Sequence, residues 1–445
     1  MRKVLKSVSF FIFLCLTASL FLIGPALAGG EFKLEDMSDM SDFDPNNFQN
    51  PTGDTFKIGV LQIFSGPGAG NGELFWITTC WVAHDINKRG GIMIDGKKKL
   101  IEVIKGDTMG KPATTKKAAE KLVLEDKVDV LWGTSGSHLA LVIQGVADRY
   151  KKIFHQSLSM SDSLMDEKNF NKYTFQTMWS TNQVGETTAY FYSQRKKEKK
   201  FYIICQDYLF GHSLAESFKK GLTKYYPEAE VVGEDYHPLF AKDFAPYLTK
   251  AKASGAEVIF TGDWLPDGGN LVKQARQLGV NVPFANIFID EPNALSAIGP
   301  EGTKGLVNLN QYMGDANNEK GMAFGNKWKE LWETKWEAPY NTLLYKWPGG
   351  TIGYAVETTY WMLDVFNRAG SSDPEKVIKV WEGDVYKGIG GNRLEMRACD
   401  HVVIRDTYAT EYVYPNPWFT ELSSGTEVFT IPAEKSMPVD GARCK

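Results

Sequence analysis

The stretch GTSGSHLALVIQ, Gly133 to Gln144, follows a short apolar run at 128–131 and leads into an amphipathic segment. Small residues between a strand and a helix often hold anions, nucleophiles or carboxylates, because the first N–H groups of a helix have no intrahelical partner. The same pattern is also typical of ordinary helix capping by serine and threonine. Besides capping, the stretch is compatible with a catalytic serine turn, a phosphate-binding loop, or a pocket that binds a ligand unchanged.

Strand-like and helix-like segments alternate on both sides of this stretch. The predicted strands are Lys57–Ile63, Leu100–Ile104, Val128–Leu131, Ile153–Phe154, Phe201–Cys205, Ala229–Gly233 and Glu257–Thr261. The predicted helices include one that ends at Gly90-Gly91, one that begins at Pro112, and Val184–Arg195, Ser213–Tyr225, Asp243–Ser254 and Gly268–Leu278. Two such series predict an α/β fold with two doubly wound parallel-sheet lobes. Ligands bind such sheets outside the carboxyl ends of the strands.

The N-terminal residues indicate export. Arg2, Lys3 and Lys6 precede an apolar run from Phe10 to Ile23, and 26–28 (Ala-Leu-Ala) offers small residues for cleavage. This layout predicts a secretory signal peptide at 1–28 and a periplasmic location, with a retained membrane anchor as the alternative. Residues 29–55 have no sustained apolar period, and we expect them to form a flexible arm.

Charge and cysteine content narrow the class of protein. The formal net charge is −4 and the basic residues are dispersed, which argues against nucleic-acid binding. A hydrophobic content of 43% is typical of a globular protein. Cys80 and Cys205 lie in apolar segments and are predicted to be buried thiols. Cys399 and Cys444 flank the C-terminal segment and are candidates for a disulfide in an oxidising compartment.

Catalytic and cofactor motifs are incomplete in this sequence. A serine hydrolase elbow needs Gly-x-Ser-x-Gly, and 133–137 (Gly-Thr-Ser-Gly-Ser) lacks the last glycine. The segment 91–98 begins like a P-loop but lacks the Ser or Thr that binds magnesium, and it precedes its strand. No two histidines and no two cysteines have the spacing of metal ligands. We therefore expect neither an enzyme nor a cofactor, and interpret the site as one of non-covalent capture.

Further landmarks occur in a characteristic order along the chain. They are Ser65-Gly66-Pro67, DINKRGGI at 85–92, GTSGS at 133–137, HQSLS at 155–159, YTFQT at 173–177, DYLFG at 207–211, KQARQLG at 273–279 and MRACDH at 396–401. From Phe56 to Tyr412 this order resembles the periplasmic substrate-binding proteins of ABC importers, in the branched-chain amino acid and amide-binding group. The resemblance implies a type I fold, in which two lobes joined by three crossing segments close on a ligand.

The resemblance also implies where the ligand binds. The implied ligand-binding residues are Asn71, Ser135, Gly136, Ser137, Ser157, Ser159, Phe210, Asp263, Trp264 and Asp290. The serines would bind a ligand carboxylate, and Phe210 and Trp264 would cover the ligand from the far lobe. The alternative for Phe210 is a place in the core, and Asp290 could equally cap the following helix. Tyr345, Trp347 and Tyr354 are further candidates for the cleft.

One departure from the family pattern concerns the ligand. The acidic residue expected to hold an α-ammonium group aligns near Phe288. Asp263, Asp290 or Asp207 could replace it. Otherwise the resemblance implies an amide, a small carboxylate or an aromatic acid as the ligand in place of an α-amino acid.

The expected organisation follows from these assignments. The predicted divisions are a signal peptide at 1–28, an arm at 29–55, lobe 1 at 56–176 plus 313–390, lobe 2 at 177–312 plus 391–430, and a tail at 431–445. We expect a monomeric solute receptor that delivers a small metabolite to the membrane permease of an ABC importer. The alternatives are the ligand-sensing domain of a signalling system with the same fold and a secreted serine hydrolase.

Overall fold

The computed structural model describes residues 29–45, 47–264, 266–290, 292–312, 319–334, 349–415, 423–436 and 442–444. The predicted signal peptide at 1–28, together with Tyr345 and Trp347, lies outside the described residues. Within these ranges no helix is both long and apolar enough to cross a membrane.

The first lobe is built on a five-stranded parallel sheet with the strand order β4-β1-β5-β6-β7. Its elements in chain order are β1 (Phe56–Gln62), α1 (Ala69–Lys88), β2 (Ile92–Ile94), β3 (Lys97–Lys99), β4 (Ile101–Asp107), α2 (Pro112–Leu124), β5 (Val130–Gly133), α3 (Ser137–Tyr150), β6 (Ile153–Gln156) and β7 (Thr174–Gln176). β2 and β3 form a separate hairpin. The predicted alternation of strands and helices is confirmed.

The second lobe is built on a seven-stranded sheet. Its first elements are α4 (Thr181–Arg195), β8 (Lys200–Gln206), α5 (Leu209–Tyr225), β9 (Glu230–His237), α6 (Ala245–Ala253), β10 (Val258–Phe260), α7 (Asp267–Gln277), β11 (Phe284–Asn286), α8 (Pro292–Gly302) and β12 (Leu306–Asn310). The remaining elements of the chain are α9 (Glu319–Thr334), α10 (Gly350–Ala369), α11 (Pro374–Trp381), β13 (Val385–Lys387), β14 (Arg393–Met396), β15 (Val403–Ile404), β16 (Thr407–Val413), β17 (Ser424–Ile431) and α12 (Ala433–Ser436).

The strand order of this second sheet is β17-β16-β12-β11-β10-β8-β9. The five strands from β8 to β12 are parallel, as the sequence predicts, whereas β16 and β17 are antiparallel additions at one edge. The predicted fold class, two doubly wound lobes with largely parallel sheets, is therefore confirmed with this refinement.

Both sheets have the same topology around their first strand. In the first lobe β4 and β5 flank β1 on opposite sides, and in the second lobe β9 and β10 flank β8 in the same way. The connections that leave these strands run in opposite directions, so a crevice opens between the loops after β1 and β5, and another between the loops after β8 and β10. The cavity described below is lined from both crevices.

The chain crosses between the lobes three times. It passes to the second lobe after β7, returns between β12 and α9, and crosses again between β15 and β16. On the first lobe α9 packs against α1, where the rings of Trp328 and Trp81 are 4.5 Å apart.

The sequence placed the last crossing too early, near residue 391. In the structure β14 and β15 still belong to a small antiparallel sheet with β13. A bridge between Gln176 and Val402 also joins this segment to the end of β7. The chain enters the second sheet only at Thr407, because β16 is the first of these strands that pairs with β12.

The N-terminal segment packs against the first lobe, so the predicted flexible arm is wrong. The side chains of Met40 and Phe43 are buried, and the Phe43 ring lies 5.7 Å from that of Trp81 on α1. The backbone N–H of Ser38 donates to the buried carboxylate of Asp85 at 2.7 Å. Buried apolar residues and hydrogen bonds to α1 therefore hold in place a segment that has no apolar periodicity.

A disulfide joins Cys399 to Cys444, with the two Cα atoms 5.2 Å apart. The guanidinium group of Arg443 lies over the ring of Phe170, 3.6 Å from its centre. The end of the chain is thereby attached to the first lobe. The thiols of Cys80 and Cys205 are buried, as the sequence predicts.

A buried ion pair connects α10 to the third crossing segment. Arg405 donates from Nη2 to Oε1 of Glu357 at 2.8 Å, and both side chains are fully buried. The backbone N–H of Ile389 donates to the other carboxylate oxygen at 2.8 Å. Burial raises the pKa of Glu357, and the charge of Arg405 acts against that rise. The pair therefore fixes where the chain leaves the first lobe.

Replacing Arg405 by leucine should lower the free energy of unfolding by about 3–5 kcal/mol, because Glu357 is left as a buried charge without its partner. The double variant Arg405→Leu/Glu357→Leu should be less destabilised, since no charge remains unpaired. Urea unfolding followed by circular dichroism measures both, with exposed Arg393→Leu as the control. A double variant at least as unstable as Arg405→Leu would contradict this account.

Candidate functional site

A cavity lies between the two lobes at the carboxyl ends of their strands. The first lobe lines it with Asn71, Phe75, Ser135, Gly136, Ser137, Leu158, Ser159, Met160 and Tyr354, and the second with Tyr208, Phe210, Trp264 and Phe288. Seven of the ten residues predicted to bind the ligand are in this lining. None of the thirteen lining residues carries a formal charge.

The N-terminus of α3 forms one wall of the cavity and has no side-chain cap. The N–H groups of Leu139 and Ala140 bond to the carbonyl of Gly136, which leaves those of Ser137 and His138 without a partner among the described residues. Gly136 has φ +96, a left-handed conformation that favours glycine. The open helix end contradicts the alternative of ordinary serine or threonine capping.

Two hydroxyl groups at this wall can still donate a hydrogen bond. The Oγ atom of Ser135 accepts from Asn71 Nδ2 at 2.7 Å, and that of Ser137 accepts from the N–H of Ser161 at 3.2 Å. Their own hydroxyl hydrogens remain available. The hydroxyl of Ser159 instead donates to the carbonyl of Thr134 at 2.5 Å, so it holds the loop together.

The opposite wall is made of aromatic rings on the second lobe. The indole Nε1 of Trp264 donates to the hydroxyl of Tyr208 at 2.9 Å, which fixes both rings. The ring of Phe210 lies 6.3 Å from that of Phe288, and Phe240 meets Trp264 edge-on at 5.6 Å. Phe210 is both part of the core and part of the lining, so the two readings of this residue are compatible.

Three predicted residues lie outside the lining. The N–H of Ser157 donates to the carbonyl of Gly133 at 3.0 Å, and its side chain is fully buried. Asp263 is fully buried and accepts from His237 at 2.7 Å. Both side chains are buried and absent from the cavity lining, and Asp263 is held by His237, so the cavity does not include these two predicted residues.

The third is Asp290, whose carboxylate lies against the first turn of α10. A side chain at Gly350 would come within 2.5 Å of Asp290 Oδ2. The remaining acidic candidate, Asp207, is exposed and contacts His212 at 2.8 Å. The lining therefore offers no carboxylate to an α-ammonium group.

Five lining residues escaped the sequence analysis, namely Phe75, Leu158, Met160, Tyr208 and Phe288. Phe75 could have been found, because it lies four residues after Asn71 and so on the same face of α1. Tyr208 lies in the segment 207–211 that contributes to the family resemblance, but no sequence feature marked Tyr208 itself as a ligand-binding residue. Phe288 follows β11, a strand that the sequence did not predict, although the acidic ligand-binding position implied by the resemblance aligns near it.

A cluster of buried polar groups lies directly behind Trp264. His237 faces an acceptor with each ring nitrogen, the carbonyl of Pro238 at 2.9 Å and Asp263 at 2.7 Å. Burial is the largest single influence and acts to lower the pKa of His237, but the hydrogen bond to Asp263, the charges of Asp263 and Asp267 and the carbonyl of Pro238 together outweigh it and raise the pKa. Asp267 accepts from Gln206 at 2.8 Å, and burial raises its pKa to about 6.

The backbone N–H of Phe240 also donates to Asp267, at 2.9 Å, so this carboxyl group helps to hold the ring that covers Trp264. The pKa of Asp267 is higher in the folded protein than its ordinary value near 3.8. The folded state therefore binds more protons than the unfolded state between these two values, and its stability falls as the pH rises through that window.

We expect Asp267→Asn to flatten the dependence of the free energy of unfolding on pH between about 4 and 6. Urea unfolding at several pH values checks this, and the exposed carboxyl of Glu301 provides the control variant Glu301→Gln. An unchanged slope in Asp267→Asn would mean that Asp267 titrates normally.

Comparison with known proteins agrees with this geometry. The sequence profile of the periplasmic binding protein family matches residues 55–415. An amino acid binding protein of Pseudomonas aeruginosa is 26% identical over 354 residues, which cover 78% of this chain and 88% of that protein.

Two solved structures share the fold. One is the closed conformation of a leucine-, isoleucine-, valine-, threonine- and alanine-binding protein from Brucella ovis, with TM-score 0.74, 21% identity and coverage of 88% of this chain and 99% of that chain. The other is an ABC transporter solute-binding protein from Rhodopseudomonas palustris in complex with 3,4-dihydroxybenzoic acid, with TM-score 0.73, 20% identity and coverage of 85% and 98%. The chain thus belongs to the periplasmic binding proteins, a family that binds solutes without catalysing a reaction, and it has their type I fold.

Proposed function

We propose that this protein is the solute receptor of an ABC importer and that its ligand is a small aromatic carboxylate. The observation that carries the proposal is the contrast between the two walls of an uncharged cavity. One wall presents an open helix N-terminus with serine hydroxyls, and the other presents aromatic rings.

The carboxylate of the ligand binds at the N-terminus of α3. The N–H groups of Ser137 and His138 and the hydroxyls of Ser135 and Ser137 are donors, and the helix dipole favours a negative charge there. A hydrogen bond to a charged group contributes about 1.5–3 kcal/mol. Several such bonds together with ring contacts are enough for micromolar affinity, near −8 kcal/mol.

The ring of the ligand packs against the aromatic wall formed by Tyr208, Phe210, Trp264 and Phe288. An α-amino acid fits less well, because its ammonium group would be buried among uncharged side chains without a carboxylate partner. The similar fold of a protein solved with 3,4-dihydroxybenzoic acid supports this ligand class.

The protein delivers its ligand to the permease by closing its two lobes on the ligand and then opening them. The two lobes close on the ligand by rotation about the three crossing segments, and the closed form docks on a membrane permease. The signal peptide at 1–28 brings the chain to the periplasm, where the permease is accessible. The protein acts as a monomer and needs no cofactor.

A thermal-shift screen tests the ligand class. Benzoate and hydroxybenzoates should raise the unfolding temperature, whereas leucine, isoleucine and valine should have a smaller effect. A ligand present at 100 times its dissociation constant adds about 2.7 kcal/mol of stability. Stabilisation by the branched-chain amino acids alone would overturn the proposed ligand class and retain the receptor function.

The variants Ser137→Ala and Trp264→Ala test the two walls separately. Loss of the Ser137 hydroxyl should weaken binding of an aromatic carboxylate about tenfold or more, and loss of the Trp264 ring should also weaken it. Isothermal titration calorimetry measures both, with Ser217→Ala as a matched control, because its hydroxyl bonds within α5 to the carbonyl of Ser213. If tight binding survived both changes, the ligand would bind elsewhere.

A further inference from the structure

Three hydrogen bonds among Asp162, Thr181 and Ser213, here called the Asp162 triad, join the two lobes. Asp162 lies on the first lobe, between β6 and β7, whereas Thr181 begins α4 and Ser213 lies on α5 of the second lobe. The Ser213 hydroxyl donates to Asp162 Oδ1 at 2.6 Å, and the N–H of Asp162 donates to the Thr181 hydroxyl at 3.0 Å. The hydroxyl oxygens of Thr181 and Ser213 are 2.5 Å apart, so the three bonds form a closed circuit.

The hydrogens of the Asp162 triad have one consistent arrangement. Because Ser213 donates its single hydroxyl hydrogen to Asp162, the third bond is donated by Thr181 to Ser213. Each of the two hydroxyls then donates once and accepts once. The bond from Ser213 to Asp162 is the strongest of the three, since its acceptor is a carboxylate. This strongest bond is the one that runs from lobe to lobe.

The Asp162 triad connects the two walls of the cavity. Next to Asp162 in the chain, the N–H of Ser161 donates to Ser137 Oγ at 3.2 Å and so holds the hydroxyl at the N-terminus of α3. Ser213 lies three residues after Phe210, which lines the cavity, so the two residues share one face of α5. No member of the triad is itself in the lining. The triad therefore links the walls without contacting the ligand.

The bond between Asp162 and Ser213 depends on the separation of the lobes. It measures 2.6 Å and is lost once its atoms are more than about 3.5 Å apart, so an opening of about 1 Å at this point breaks it. Thr181 stays with the first lobe, because its N–H donates to the carbonyl of Met160 at 2.7 Å. Ser213 is therefore the member that separates when the cavity opens.

We infer that Asp162 is a positioning residue for ligand capture, which holds the lobes together through Ser213 once a ligand lies between them. The inference rests on the proposed capture of a ligand in this cavity and applies to any solute that fits there. Asp162 acts on the population of the closed form, so its loss weakens the binding of every ligand by the same factor. Because the bond to Ser213 forms after the ligand has entered, its loss speeds dissociation and leaves association nearly unchanged.

Stopped-flow fluorescence of the mature protein with benzoate measures the association and dissociation rate constants separately. Asp162→Leu removes the acceptor at similar volume and should raise the dissociation rate constant about tenfold or more, as expected for a hydrogen bond to a carboxylate. Asp162→Asn retains an oxygen acceptor and should raise it by a smaller factor. Asp148→Leu is the control, because Asp148 is exposed on α3, and it should keep the wild-type rates.

A double-mutant cycle assigns the effect to the bond between the lobes. Ser213→Ala should also speed dissociation, and Asp162→Leu/Ser213→Ala should release benzoate no faster than Asp162→Leu alone. Ser217→Ala is the control for the serine, since the Ser217 hydroxyl bonds within α5. Ser213→Ala removes a single oxygen atom, so it keeps the inference testable even if Asp162→Leu fails to fold.

The possible outcomes separate the inference from the proposed function. A wild-type dissociation rate constant in Asp162→Leu and Ser213→Ala, or additive effects in the double variant, would overturn the role of Asp162 and leave the ligand class intact. Binding of leucine without binding of benzoate would overturn the ligand class, and the same variants measured with leucine would then decide the role of Asp162. Binding of neither probe would overturn both.

Discussion

The N–H groups of Ser137 and His138 lie at a helix end that no side chain caps, and buried backbone donors without a partner are costly. Gly136 creates this end with its left-handed conformation, and the serine hydroxyls nearby are oriented by Asn71 and by the backbone of Ser161. The free energy of this wall therefore depends on what occupies the cavity. In the proposed function, the carboxylate of the ligand completes this hydrogen bonding.

The two sheets have the same topology around their first strand, but the two lobes line the cavity with different chemical groups. In each sheet the first strand is flanked on both sides, so a crevice opens where the connections diverge. The first lobe fills its crevice with hydroxyls and a helix end, and the second fills its own with rings such as Trp264. The buried cluster of His237, Asp263 and Asp267 holds that ring wall from behind, while Glu357 and Arg405 fix the third crossing. The proposed preference for an aromatic carboxylate rests on this contrast between the two walls.

Much of the site could be predicted because it depends on local sequence. The break between β5 and α3 identified Ser135, Gly136 and Ser137, and the position of Trp264 on a loop after a strand identified the far wall. The sequence did not predict that Ser157 and Asp263 are buried outside the lining, because burial and the partner His237 are set by tertiary contacts. Tyr208 and Phe288 line the cavity because of the way the second lobe packs. That packing leaves no local pattern in the sequence.

The sequence by itself determined the alternation of strands and helices, hence two doubly wound lobes, and the small-residue turn that opens α3. Hydrophobic periodicity and turn chemistry act over a few residues and leave a readable pattern. The tertiary structure alone decided that 29–45 packs on α1, that the last crossing comes as late as Thr407, and that Tyr208 lines the cavity beside Trp264. These features depend on contacts between segments far apart in the chain, whose register and orientation are set by packing.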